Sequence, residues 1–142
     1  MTRMSAVARP RELSQVSKAA LAVEILIAYG RVRRALRRMD LPGVAAAVRR
    51  PGKRALPAAD APYASGLRLG AAVTRVLGGL PRDPRCLTSS LVLTALLARR
   101  GIPATLVIGV RLDPFAAHAW VEHEGRPLLA AASAPFERLL EV

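Results

Sequence analysis

This chain has little that could crosslink it, stack on nucleic acid or cross a membrane. Its one cysteine, Cys86, cannot form an internal disulfide, which agrees with a cytoplasmic protein. Aromatic residues make up only 4% of the chain, and no recognised nucleic-acid motif accompanies them. The apolar stretch 19–29 is interrupted by Glu24 and is shorter than the roughly 20 residues that a bilayer requires. We therefore expect this stretch to form an internal helix.

Acidic residues are also scarce, with 10 Asp and Glu against 22 Lys and Arg, for a net charge of +12. Nearly all the basic residues are arginine. Such a surface attracts nucleic acid, a membrane surface or an acidic peptide. A GC-rich genome also produces a composition rich in Arg and Ala, so the charge alone assigns no partner. The spacing in residues 31–39 predicts an amphipathic helix with a basic outer face, which is either a solvated surface or a docking face.

The length of 142 residues and the apolar fraction of 52% predict one domain with a substantial core. Periodicity predicts helices first and an antiparallel sheet afterwards. The predicted helices are Leu13–Met39 with a break or bend at Gly30, Val44–Arg49, Leu67–Leu77 and Cys86–Arg100, with residues 50–66 as connector. The predicted strands are Thr105–Arg111, Ala117–His123, Arg126–Ala130 and Phe136–Val142. The fold class is α+β, with a helical region at 1–80 and a core at 81–142 in the same domain.

Cys86 is predicted to lie in the first turn of the most apolar helix. Asp83 can cap this helix and Pro84 suits its first position. The positive end of the helix dipole and the adjacent Arg85 would both favour the reactive thiolate. Free cysteine is also a common buried apolar residue, so a role in packing stays open.

His118 follows Cys86 by about thirty residues, and a cysteine followed at a distance by a histidine is the arrangement of thiol proteases. On a strand, His118, Trp120 and Glu122 share one face, while His123 lies on the other and is expected at the surface. If the Cys86 helix packs across the His118 face, sulfur and imidazole can meet. We expect Trp120 to pack against that helix, and Ser89 and Ser90 to make hydrogen bonds rather than act as nucleophiles.

Four segments resemble the lasso peptide biosynthesis leader peptidases, which are transglutaminase-like cysteine proteases related in core fold to papain. The resemblance is carried by residues 85–90 around Cys86, 101–110, 115–122 around His118, and 124–127. It implies that Cys86 is the nucleophile and His118 the general base. It also implies a reaction in which the leader is cleaved from a ribosomally made precursor peptide. No cofactor or metal is implied.

The resemblance further implies partners. A separate ATP-dependent cyclase would join the freed amine to an Asp or Glu side chain of the peptide. The chain is too short for the leader-recognition domain of fused family members, so it resembles the stand-alone peptidase and is expected to need a separate leader-binding protein. Nucleic acid is not an expected partner, while peripheral contact with a membrane stays open.

One residue departs from the family pattern. The family has an Asp or Glu about twelve positions after the histidine, and this chain has Ala130 there. Glu122 shares the His118 face but lies about 13 Å along the strand. Either another group orients His118, or the activity is reduced, or the chain is a silent scaffold that holds precursor or cyclase. A basic module that binds nucleic acid or membrane is a third reading, supported only by the charge.

Overall fold

The computed structural model describes residues 15–50, 62–80, 86–128 and 136–142. The predictions for residues 1–14, for Asp83 as a helix cap and for Ala130 lie outside these residues. The helices are α1 (Gln15–Leu36), α2 (Leu41–Val48), α3 (Pro62–Gly78) and α4 (Cys86–Arg99). The strands are β1 (Thr105–Leu112), β2 (Phe115–His123), β3 (Arg126–Pro127) and β4 (Glu137–Glu141).

Three helix predictions are wrong in detail. α2 begins at Leu41 rather than at the predicted Val44, because Asp40 caps the helix there. α1 continues through Gly30, because a glycine costs a helix only about 1 kcal/mol and the buried residues Ile25 and Val32 anchor α1 on both sides of it. α3 begins at Pro62, well before the predicted Leu67. Proline fits the first helical position, where its missing N–H costs nothing. Of the helices in the described ranges, none has both the length and the apolar character needed to cross a bilayer.

The four strands form one antiparallel sheet in the order β3-β2-β1-β4. The predicted two-residue hairpin between β2 and β3 is confirmed, since Glu124 and Gly125 both have positive φ, at 51° and 76°. The closing strand is confirmed as β4, which pairs with β1. β3 is shorter than predicted, and residues 129–130 of the predicted strand are not among those described.

α4 is the central element of the core. Its side chains Leu91, Val92, Leu93, Leu96 and Leu97 are fully buried, as its almost entirely apolar sequence predicts. In the sheet, the residues clustered with them are Leu106, Ala119, Val121 and Leu128. The predicted α+β architecture, with a helical first half and a cysteine-bearing helix on a small antiparallel sheet, is therefore confirmed.

The sheet face that meets α4 is not the expected one. Ala119 and Val121 of β2 belong to the buried cluster, while His118 and Trp120 on the opposite face do not. The physical reason is that the face with Ala119 and Val121 is apolar, so its burial leaves no polar group unpaired. The premise that α4 packs across the His118 face is wrong.

An ion pair fastens α1 to the end of α4. Arg100 donates to both carboxylate oxygens of Glu24, at 3.0 and 2.9 Å, and both side chains are mostly buried. Removing the carboxylate leaves a mostly buried guanidinium without this partner. We predict that Glu24→Ala lowers the free energy of unfolding by about 1–3 kcal/mol, as measured by urea denaturation. Glu137→Ala, which removes an exposed carboxylate from β4, is the control and should change the value by less than about 0.5 kcal/mol.

Candidate active site

Cys86 is the first residue of α4 and is half-buried with a free thiol. The prediction that it lies in the first turn is confirmed. Backbone N–H groups in the first turn of a helix have no intrahelical acceptor, so hydrogen-bond donors are available beside the sulfur. The long buried stretch that follows Cys86 holds the helix start in a fixed place.

The course of the chain orients α4 relative to the sheet. α4 ends in a tight turn, in which the N–H of Gly101 donates to Ala98 and the N–H of Ile102 donates to Leu97. The chain then enters β1 at Thr105, so α4 and β1 run in opposite directions. Because β2 is antiparallel to β1, β2 and α4 run the same way. The start of α4 therefore lies toward the start of β2, the half of the strand that carries His118.

A side-chain bond fixes the level of α4 along β2. The hydroxyl of Ser90, fully buried, donates to the carbonyl oxygen of Ala119 at 3.1 Å. Cys86 is one helical turn before Ser90, a step of about 6 Å, or roughly two strand residues. By this estimate, the start of α4 lies toward Ala117 along β2. The expectation that Ser90 makes a hydrogen bond rather than acts as a nucleophile agrees with this contact.

His118 lies on β2 outside the part of that strand that pairs with β3. β3 pairs with β2 only at Glu122 and His123, so within the described residues no strand pairs with this edge of β2 at His118. The imidazole is half-buried and leaves the strand on the face opposite the core. Within the described residues, the ring contacts of His118 are with Trp120 and Phe136, on the face of the sheet away from α4.

The imidazole of His118 has two aromatic rings as neighbours. The ring centroid of Trp120 is 5.9 Å away with an angle of 21° between the planes, and that of Phe136 is 5.6 Å away. Gly109 pairs with His118 on β1, and a Cβ atom there would lie 2.8 Å from the Trp120 ring. The indole occupies the space that a side chain at position 109 would need. The prediction that Trp120 packs on α4 is therefore wrong.

Glu122 forms a polar cluster beside these rings. Its side chain is buried, and its Oε1 accepts hydrogen bonds from the Trp120 indole N–H at 2.8 Å and from Arg138 at 2.7 Å. Arg138 also bonds to Glu141, and the hydrogen bonds with Glu141 and Glu122 raise the pKa of Arg138. The period of two places Glu122 on the His118 face, but nothing in the sequence pattern indicates Arg138 as its partner.

His123 is not at the surface as predicted. It is buried, and its Nδ1 lies 2.7 Å from the carbonyl oxygen of Pro103. A carbonyl can only accept, so Nδ1 donates the proton in this bond. His123 thereby ties the end of β2 to the segment that links α4 to β1. The described residues contain no group of three or more His, Cys, Asp or Glu that could hold a metal ion.

A half-buried cysteine opens the central helix of this α+β fold, and that helix packs on a strand that bears a histidine. The chain belongs to the transglutaminase-like superfamily, whose family model matches residues 20–141. It is also similar to the microcin J25-processing protein McjB of Escherichia coli, with 54% identity over 41 residues. That match covers 29% of this chain and 20% of the relative. No solved structure matches significantly. The predicted resemblance to transglutaminase-like proteins is confirmed.

Proposed function

We propose that this protein is a cysteine peptidase that removes the leader from a ribosomally made lasso peptide precursor before macrolactam formation. The observation that supports the proposal is that Cys86 opens α4, and the Ser90–Ala119 hydrogen bond joins this helix to the strand that bears His118. Membership of the transglutaminase-like superfamily and the similarity to a processing protein of microcin J25 support the same chemistry.

In the proposed reaction, Cys86 and His118 act as nucleophile and general acid–base. The Cys86 thiolate attacks the carbonyl carbon at the end of the leader and forms a tetrahedral intermediate. Protonated His118 gives its proton to the departing amine of the core peptide as the C–N bond breaks. Neutral His118 then takes a proton from a water molecule as that water attacks the thioester. The C–S bond breaks, which releases the leader carboxylate and restores the pair of Cys86 thiolate and protonated His118.

The start of α4 also offers stabilisation for the developing oxyanion. Backbone N–H groups in the first turn of a helix have no intrahelical acceptor, and that of Cys86 is one of them. Hydrogen bonds from these N–H groups become stronger as negative charge develops on the carbonyl oxygen. They therefore stabilise the transition state more than the bound substrate and lower the activation barrier. The central position of α4 in the core keeps these donors in place without a further conformational change.

A cleavage assay on the precursor tests the proposal. Precursor peptide, purified leader-binding partner and this protein are incubated together, and the products are identified by mass spectrometry. We expect two fragments, the leader with a free carboxylate and the core with a free amine that the ATP-dependent cyclase can use. If precursor stays intact while this protein still binds precursor or cyclase, the chain is a scaffold, as the alanine at position 130 would favour. Tight DNA binding that falls steeply with salt would instead support the nucleic-acid reading.

Position 130 gives a further prediction from sequence alone, since Ala130 lies outside the described residues. Ring stacking holds the plane of the His118 imidazole but does not select which ring nitrogen carries the proton. A carboxylate beside the imidazole would select that tautomer by accepting a hydrogen bond from one nitrogen. We predict that Ala130→Asp or Ala130→Glu raises kcat in the cleavage assay. The rise should stay below the roughly 10⁴-fold that the corresponding aspartate contributes in a serine protease, because the ring is already held. An unchanged rate in both variants would mean that another group fixes the tautomer.

A further inference from the structure

We propose that Glu122 and Arg138 position His118 for catalysis by holding the Trp120 indole against the imidazole. This inference rests on the proposed function, since it assigns these residues a part in orienting the general base. Glu122 and Arg138 are then positioning residues. They reach the reacting atoms only through Trp120.

The first step is the burial of the Glu122 carboxylate. A buried carboxylate is unfavourable unless charged and polar partners replace its water. Here one oxygen accepts from both Arg138 and the Trp120 N–H, at 2.7 and 2.8 Å. Arg138 is held in turn by Glu141 on its own strand. The cluster therefore joins β2 to β4 and fixes the acceptor that the indole needs.

The second step is the contact between the two rings. A hydrogen bond at Nε1 and a close backbone at Gly109 fix the indole at its two ends, so the plane of Trp120 has little freedom. The imidazole of His118 stacks on that plane, and Phe136 is its second ring neighbour. Arg111 lies over the Phe136 ring, with its guanidinium carbon 5.4 Å from the ring centroid. His118 is thus held by rings, and Glu122 sets the position of one of them.

The third step separates this role from plain stability. Buried ion pairs can often be exchanged for apolar residues without loss of stability, so their presence is weak evidence for a structural need. The Glu122–Arg138 pair lies on the face of β2 away from the core. Its side-chain hydrogen bond to β2, among the described residues, is with Trp120, whose ring stacks on His118. Loss of this pair should therefore change the orientation of the imidazole more than the packing of the core.

The test uses Cys86, the only thiol, as a reporter that needs no substrate. A thiolate paired with imidazolium reacts with iodoacetamide at pH 6, where an ordinary thiol is almost entirely protonated. The ratio of the alkylation rates at pH 6 and pH 9 therefore measures whether His118 is in place. We expect a high ratio in the wild type, a ratio lowered about fivefold or more in Glu122→Ala, and near wild-type values in Glu122→Gln, whose amide oxygen still accepts from the indole. Glu137→Gln, which changes an exposed carboxylate on the same strand as Arg138 but outside this cluster, is the matched control.

Peptide cleavage supplies the second readout. In Glu122→Ala we expect kcat to fall about 10–100-fold, the range that follows a misplacement of about 1 Å, with KM unchanged. Trp120→Phe keeps an aromatic ring but removes the indole N–H, so it should show the same loss as Glu122→Ala. It replaces Glu122→Ala in the test if Glu122→Ala does not fold. Circular dichroism establishes which variants are folded.

The outcomes distinguish the two proposals. If the wild type itself shows no excess reactivity at pH 6, the Cys86–His118 pair, and with it the proposed function, is overturned. If the wild type shows it and folded Glu122→Ala and Trp120→Phe retain it, the positioning role is overturned while the peptidase proposal stands. If the alkylation-rate ratio falls as far in Glu122→Gln as in Glu122→Ala, the proposal that Glu122 acts by accepting a hydrogen bond from Trp120 is overturned.

Discussion

Substitution of Cys86 by alanine should abolish release of the leader. No other thiol is present in the chain, and the proposed reaction cannot form its acyl-enzyme without the sulfur. We expect kcat to fall about 10³-fold or more, as it does when the nucleophile of a hydrolase is removed. Mass spectrometry of the precursor after incubation with enzyme and leader-binding partner measures the loss directly. The variant should remain folded, because Cys86 is only half-buried at the start of α4.

The control for this variant is Ser89→Ala, which changes a neighbouring hydroxyl in the same helix. We expect it to keep nearly full activity. Cys86→Ala should still bind precursor and compete with the wild type for it, which separates loss of chemistry from loss of binding. Undiminished cleavage by Cys86→Ala would rule out the thiol mechanism.

The elements that position Cys86 were predictable because local signals and burial agree there. The apolar sequence of α4 predicts a central helix, and Gly101 marks its end. The face of β2 that meets α4 was not predictable in the same way. A period of two separates His118 from Ala119 but does not say which face packs on the helix, and the location of the histidine suggested the wrong one. The apolar face decided the packing.

The Glu122–Arg138 pair shows a different limit. The two residues lie sixteen positions apart and meet because β4 pairs with β1, with a register shift between Ile108 and Gly109. Neither that strand order nor that irregularity leaves a local sequence signal, since both depend on how the whole sheet assembles. Measuring distance along β2 alone placed Glu122 too far from His118 for direct contact. The structure adds the ring of Trp120 between them.

The leader-binding partner should raise the cleavage rate strongly. A partner that holds the leader while docked on this protein replaces a weak encounter with an effective concentration on the order of millimolar. We expect slow or undetectable cleavage of precursor by this protein alone, and a rate about 10²–10⁴-fold higher with the partner present. The initial rate at a precursor concentration well below KM, measured with and without partner, gives the factor.

A basic surface on α1 is the proposed docking site for that partner. Tyr29, Gly30 and four arginines line a shallow groove of about 430 Å³ at the end of this helix, with Arg33 and Arg37 exposed. Their positive charge suits a partner with an acidic surface, and the attraction should weaken as salt screens it. The double variant Arg33→Glu/Arg37→Glu should therefore lose most of the stimulation while its slow rate without partner stays unchanged.

The matched control reverses two exposed arginines on α3, Arg68 and Arg75, which changes the net charge by the same amount on another helix. If the long-range field of the whole protein attracts the partner, both double variants should lose stimulation alike. If the α1 groove is the docking site, only Arg33→Glu/Arg37→Glu should lose it, and the loss should shrink at high salt because the wild-type rate falls toward that of the variant. Full activity on precursor without any partner would contradict the docking proposal and leave the net charge of +12 as a feature of composition alone.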